Sequence, residues 1–110
     1  MITATPAKYE TDANGADGDD PAIWVNAADP AESRIITTTK SEEGAGLGVF
    51  DLRGKLKGRM DAGEPNNVDV IYGFDLGGRK VDLAVAACRR DNTLWYAPST
   101  FNSRGGTLLI

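Results

Sequence analysis

Two short stretches hold the residues that could do chemistry. Asp17, Asp19 and Asp20 crowd the start of DGDDPAIWV, and Asn66, Asn67 and Asp69 lie in NNVDV. Each stretch runs from side-chain oxygens into an apolar, alternating segment, and Pro21 blocks helix in the first. Carboxylates crowded at the mouth of a strand repel one another, and hard cations such as calcium are bound by oxygen clusters of this kind. The first stretch also reads as a solvated, hydrogen-bonded Asp-rich turn, and the second as an Asx turn that opens a strand. Asp69 alternates with Val68 and Val70 and is read as facing solvent or capping a loop, outside any site.

Composition removes several other chemistries. The chain has no histidine, which excludes a Ser-His-Asp or Cys-His site and any His-based metal site within it. Its single cysteine, Cys88, cannot form an internal disulfide and sits in the apolar run VDLAVAAC, where a buried, inert thiol is expected. A net charge of -4 argues against nucleic acid. It leaves room for a phosphorylated small molecule, because bound cations reverse the local sign. No run approaches membrane-spanning length, so no membrane partner is expected, and MITATPAKYE lacks the apolar core of a signal peptide. The chain reads as mature, cytosolic or a piece of something longer.

The elements that must position these residues are strands. The 110 residues, 41% of them apolar, suffice for one small domain. Strands are predicted over Ala22 to Val25, Arg34 to Thr39, Leu47 to Leu52 and, weakly, up to Met60. A second series covers Val68 to Tyr72, Val81 to Cys88, Thr93 to Ala97 and the closing TLLI. No segment shows sustained helical periodicity, so the class is all-β. Ile23, Trp24 and Val25 read as a buried strand. Leu47, Val49, Phe50, Val81, Leu83, Val85, Trp95 and Tyr96 complete the expected core, and Lys55, Lys57 and Arg59 read as an exposed strand face.

The two series repeat. RIITTTK answers LAVAACR, GVFDL answers LWYAP, and GKL at 54–56 answers GTL at 106–108, at offsets of 46 to 52 residues that slip at loops. A four-stranded unit of that length is a propeller blade, and two blades do not close a propeller. The expectation is a fragment or an assembling module: residues 1–18 an arm and loop, 19–60 one antiparallel blade, 66–110 a second. The repeat also pairs Lys40, at the end of one strand, with Arg89 at the end of its counterpart. That places two cations on one rim.

In this order, DGDDPAIWV, IITTTK, GLGVFDLRGK, NNVDVIYGF, KVDLAVAACR and NTLWYA resemble the N-terminal third of the β-propeller phytases, from about Glu10 onward. The resemblance implies a six-bladed, calcium-dependent and usually secreted or periplasmic hydrolase that releases phosphate from phytate, myo-inositol hexakisphosphate. By its matched positions, Asp19 faces the Ca2+ cluster at the cleavage site. Asp20, Asn67 and the Val68 carbonyl hold a structural Ca2+, while Lys40 and Arg89 contact phosphate. Asp19, Lys40 and Arg89 are the implied catalytic set, with water attacking phosphorus directly. The expected partners are phytate or other inositol phosphates, together with further propeller blades or a second copy. Ile71 stands where many relatives carry a cation, and Ala87-Cys88 replaces a Ser-Asn pair. The alternative is a non-catalytic, incomplete propeller module that binds calcium and phytate or packs on another propeller domain. A generic interaction scaffold without calcium dependence is a further rival.

Overall fold

A computed structural model describes residues 3–41 and 45–90, with the strand segments 93–95 and 108–109. The strands are β1 (Gly18–Trp24), β2 (Arg34–Thr39), β3 (Gly46–Phe50), β4 (Leu56–Asp61), β5 (Pro65–Leu76), β6 (Arg79–Cys88), β7 (Thr93–Trp95) and β8 (Leu108–Leu109). One 3-10 turn, Pro30–Glu32, is capped by the Asp29 carboxylate, which accepts the Ala31 amide. The chain is all-β. The Ile2–Thr5 segment, weakly alternating in sequence, forms no strand over its described residues.

The first sheet is an antiparallel meander in the order β1-β2-β3-β4. β2 is the β-branched run RIITTT, which the pleated surface favours. Its register sets Ile36 opposite both Ala22 and Val49. The turn from β3 to β4 is built on Asp51, whose carboxylate accepts the amides of Arg53 and Lys55. In the second sheet β5 and β6 form a long hairpin closed at Gly77-Gly78, both in the left-handed region that glycine tolerates. β7 continues the antiparallel order on β6 at Ala86–Cys88.

β8 departs from the four-stranded antiparallel unit. It runs parallel to β6, with Asp82 opposite Leu108, instead of extending outward from β7. β7 is only three residues long and covers one end of β6, so the edge groups near Asp82 and Leu83 are left to pair with β8. Tyr96 and residues 42–44 of the SEEGAG turn lie outside the described residues, as do the side chains of 93–95.

The core lies between the two sheets. Trp24, Ile36, Leu47 and Val49 of the first pack with Val68, Ala84 and Ala86 of the second. Each large side chain buried there contributes about 1.5–3 kcal/mol. Val81 and Leu83 form a second buried cluster, with half-buried Val85 against it. Cys88 is buried and its thiol is not in a disulfide, as expected. Ile23 and Val25 correct the sequence reading: they are 60% and 50% exposed, while Trp24 is 1% exposed. Strand side chains alternate between faces, and the second sheet covers only the face that carries Trp24. Lys55, Lys57 and Arg59 are exposed, as read.

Candidate functional site

β1 begins earlier than the sequence suggested, so Asp19 and Asp20 lie inside a strand. The β1–β2 register passes from Gly18↔Thr39 to Pro21↔Thr37, which leaves Asp19 and Asp20 opposite Thr38 alone. That is a β-bulge, a device that re-aims side chains. The second sheet repeats it: the β5–β6 register passes from Pro65↔Cys88 to Asn67↔Ala87, leaving Asn66 extra. Three of the residues singled out for their oxygens, Asp19, Asp20 and Asn66, therefore sit in bulges of the two first strands, and Asn67 is the paired residue that follows the second bulge.

The two aspartates do not share one cluster. Asp19 Oδ1 lies 3.1 Å from the Lys40 ammonium in a half-exposed ion pair. Asp20 Oδ2 accepts the Val68 amide at 3.1 Å, while its own amide donates to Thr38 Oγ1 at 3.0 Å. The repulsion inferred from crowding is thus relieved within the chain, each carboxylate by its own partner. The Asp20–Val68 bond joins the first strands of the two sheets. Because the Val68 amide points away from β6, its carbonyl points the same way, toward β1.

Lys40 and Arg89 occupy equivalent places, as the repeat required. Lys40 follows β2 and donates its amide to the Asp17 carbonyl at 3.1 Å. Arg89 follows β6 and donates its amide to the Glu64 carbonyl, also at 3.1 Å. Asp17 and Glu64 are the residues just before β1 and β5. Lys40, Asp19, Asp20, Val68, Glu64 and Arg89 are therefore strung along one rim by bonds through neighbouring residues. Asn67 is exposed on the same rim. With Val68, Asp69, Ile71, Val85 and Ala87 it lines a shallow depression of about 280 Å³. Asp69 is exposed, and its carboxylate accepts the Val70 amide at 2.8 Å.

A hard cation suits these donors in chemistry, since they are carboxylate, amide and carbonyl oxygens. In number they fall short of the six to eight oxygens calcium takes. Among the described residues no three His, Cys, Asp or Glu side chains converge.

The family model described as Phytase matches residues 2–98. The chain belongs to the phytase family. It is 47% identical over 88 residues to the 3-phytase of Bacillus subtilis (strain 168). The match takes in 77% of this chain and 22% of that protein, so the phytase-family segment spans about a fifth of its relative's length.

Several residues of this phytase-family site escaped the sequence reading. Thr38 holds the bulge through its hydroxyl, and its counterpart in the second sheet is Ala87, which has none. Asp82 accepts the Trp24 indole N–H at 2.6 Å through Oδ2 and the Gly73 amide at 3.0 Å through Oδ1. The Tyr72 hydroxyl accepts the Val25 amide at 2.9 Å and donates to the Ile23 carbonyl. These bonds lace β1 to the second sheet. Asp82 had a signal: it is the one carboxylate on the strand face that also carries Ala84 and Ala86, and a buried indole N–H needs an acceptor.

Proposed function

We propose that this segment supplies one rim of a calcium-dependent phosphomonoesterase that releases inorganic phosphate from phytate, working as part of a larger propeller. The observation that carries the reading is the bulged rim itself. In a phytase-family chain, Asp19 and Asp20 meet Lys40 and Val68 there, and Arg89 is held at the repeat-equivalent position. Asp20, the Asn67 side chain and the Val68 carbonyl would hold one calcium ion, and Asp19 would contribute to others at the site of cleavage. When bound, calcium supplies positive charge that brings a densely anionic substrate to an acidic surface and stabilises charge on the transferring phosphoryl group.

The chain's own residues have separate tasks. Lys40 offers a point charge and Arg89 a planar fork, the two common ways of holding phosphate oxygens. In this reading Asp19, paired with Lys40, takes the proton of water as its oxygen attacks phosphorus. The ester P–O bond breaks, and the leaving oxygen takes up the proton held by Asp19 to depart as the alcohol. Export from the cell and the contribution of further blades belong to the same reading.

The test is phosphate release from calcium phytate by the purified chain, with and without chelator, alongside its melting temperature. A calcium-dependent rise in melting that is lost in Asp20→Ala, without phosphate release, fits a segment that holds part of the site. Calcium-dependent release would mean that the chain completes a site by itself. Melting and phytate binding both indifferent to calcium would overturn the reading in favour of a plain scaffold.

A further inference from the structure

We propose that Glu64 is a positioning residue that makes Arg89, and not its neighbour Arg90, the anion-binding cation of the second sheet; this rests on the assignment of Arg89 to phosphate. Two arginines follow β6 in succession, and both are exposed. Their amides go to adjacent carbonyls of one turn, Arg89 to Glu64 at 3.1 Å and Arg90 to Gly63 at 3.4 Å. The Glu64 carboxylate then takes one guanidinium and leaves the other. Its Oε1 lies 3.5 Å from Arg90 Nη2, whereas Arg89 has no ion pair among the described residues.

The backbone of Glu64 carries an independent sign. Its φ is +56°, and it is the one non-glycine residue in the left-handed region among the described residues. A side chain is held there only where its surroundings determine it. Here the Glu64 amide is tied to the Ala62 carbonyl at 2.9 Å, between buried Gly63 and Pro65. The first sheet supplies the contrast. Asp17 holds Lys40 through the same carbonyl-to-amide bond, but its backbone is not left-handed, and Lys40 is followed by the uncharged Ser41. The unusual backbone and the sequestering carboxylate occur together, in the unit that has two cations to choose between. Glu64 thus leaves Arg89 as the cation of the second unit without an ion pair among the described residues, while Lys40 of the first is held beside Asp19.

The experiment is phytate binding to the 110-residue chain by calorimetry, with circular dichroism to check folding. Arg89→Ala is expected to weaken binding. Adding Glu64→Gln to that variant releases Arg90 and should recover about two- to five-fold in affinity, the range of an exposed ion pair. Glu64→Gly, which keeps the same φ, should recover as much. The recovery must vanish when Arg90→Ala is added. An equal gain without Arg90 would reduce the effect to loss of negative charge and overturn the proposal. Weakened binding in Arg89→Ala with no recovery would overturn the role of Glu64 alone. Unchanged binding in Arg89→Ala would remove the phosphate assignment itself, and the role of Glu64 with it.

Discussion

Asp82→Ala is the substitution whose cost the structure fixes best. The Trp24 side chain is 1% exposed at the centre of the core between the sheets, and its indole N–H donates to Asp82 Oδ2 at 2.6 Å. Without the carboxylate the indole N–H loses its acceptor at a side chain that is itself almost fully buried. A lost bond to a charged group, with a buried donor left unpaired, costs about 1.5–3 kcal/mol. The second bond of Asp82, to the exposed Gly73 amide, is replaced by water at little cost. The expected loss is therefore about 1.5–3 kcal/mol, or roughly 6–15 °C in melting temperature for a domain of this size. Asp82→Asn keeps a neutral acceptor and should lose about half as much. The assay is urea unfolding followed by far-ultraviolet circular dichroism, a readout that does not depend on either of the chain's two tryptophans. In a Trp24→Phe background the cost of Asp82→Ala should fall by at least 1 kcal/mol or so, because the pair is coupled. Full additivity with Trp24→Phe, or an Asn variant as unstable as the Ala variant, would refute the reasoning.

Three further outcomes follow from geometry. Asp20→Ala leaves the amide of buried Val68 without its acceptor and should cost about 1–3 kcal/mol, against less than half of that for Asp20→Asn, as measured by denaturation in the presence of chelator. Gly54→Ala should destabilise by about 2–3 kcal/mol in the same assay: Gly54 has φ +85°, and a Cβ there would collide with the Glu10 carbonyl where Asp12 is bonded to Gly54. Burial pushes the Asp51 carboxyl up, but the Lys55 and Arg53 amides and the Lys57 ammonium outweigh it and hold it below its ordinary value. A lowered carboxyl contributes stability that is fully present above the ordinary carboxylate range and is lost as pH falls through the depressed value. Acid unfolding curves of wild type and Asp51→Asn should therefore converge below about pH 4 and separate above it.

The parts of this fold legible in sequence were those governed by local pattern. RIITTT and VDLAVAAC are apolar or β-branched enough to be strands in almost any setting, and their equivalence puts Lys40 and Arg89 at matching strand ends. The resemblance assigned Asp20 and the Val68 carbonyl to one calcium ion; the direct bond between the Val68 amide and the Asp20 carboxylate was not part of that reading. What escaped depends on partners far along the chain. Nothing near Asp82 says that its acceptor role is directed at Trp24, 58 residues away. The exposure of Ile23 and Val25 follows from which face of the first sheet the second one covers, which alternation alone does not choose. The left-handed backbone of Glu64 defied its residue type, since a glutamate before a proline reads as extended. The parallel seat of β8 was invisible because TLLI suits either direction.

The paired anchoring of Lys40 and Arg89 has a consequence for how such a surface can change over time. Each cation is fixed by its own amide on the carbonyl of the residue that opens its unit, a bond indifferent to the side chain. The backbone therefore offers interchangeable sockets: what is plugged into one can be altered without loosening the scaffold that holds it. Lysine in one and arginine in the other are then two settings of the same slot. A lineage that repeats the unit could diversify its chemistry socket by socket, while the bulges and carbonyls that hold the occupants stay as they are.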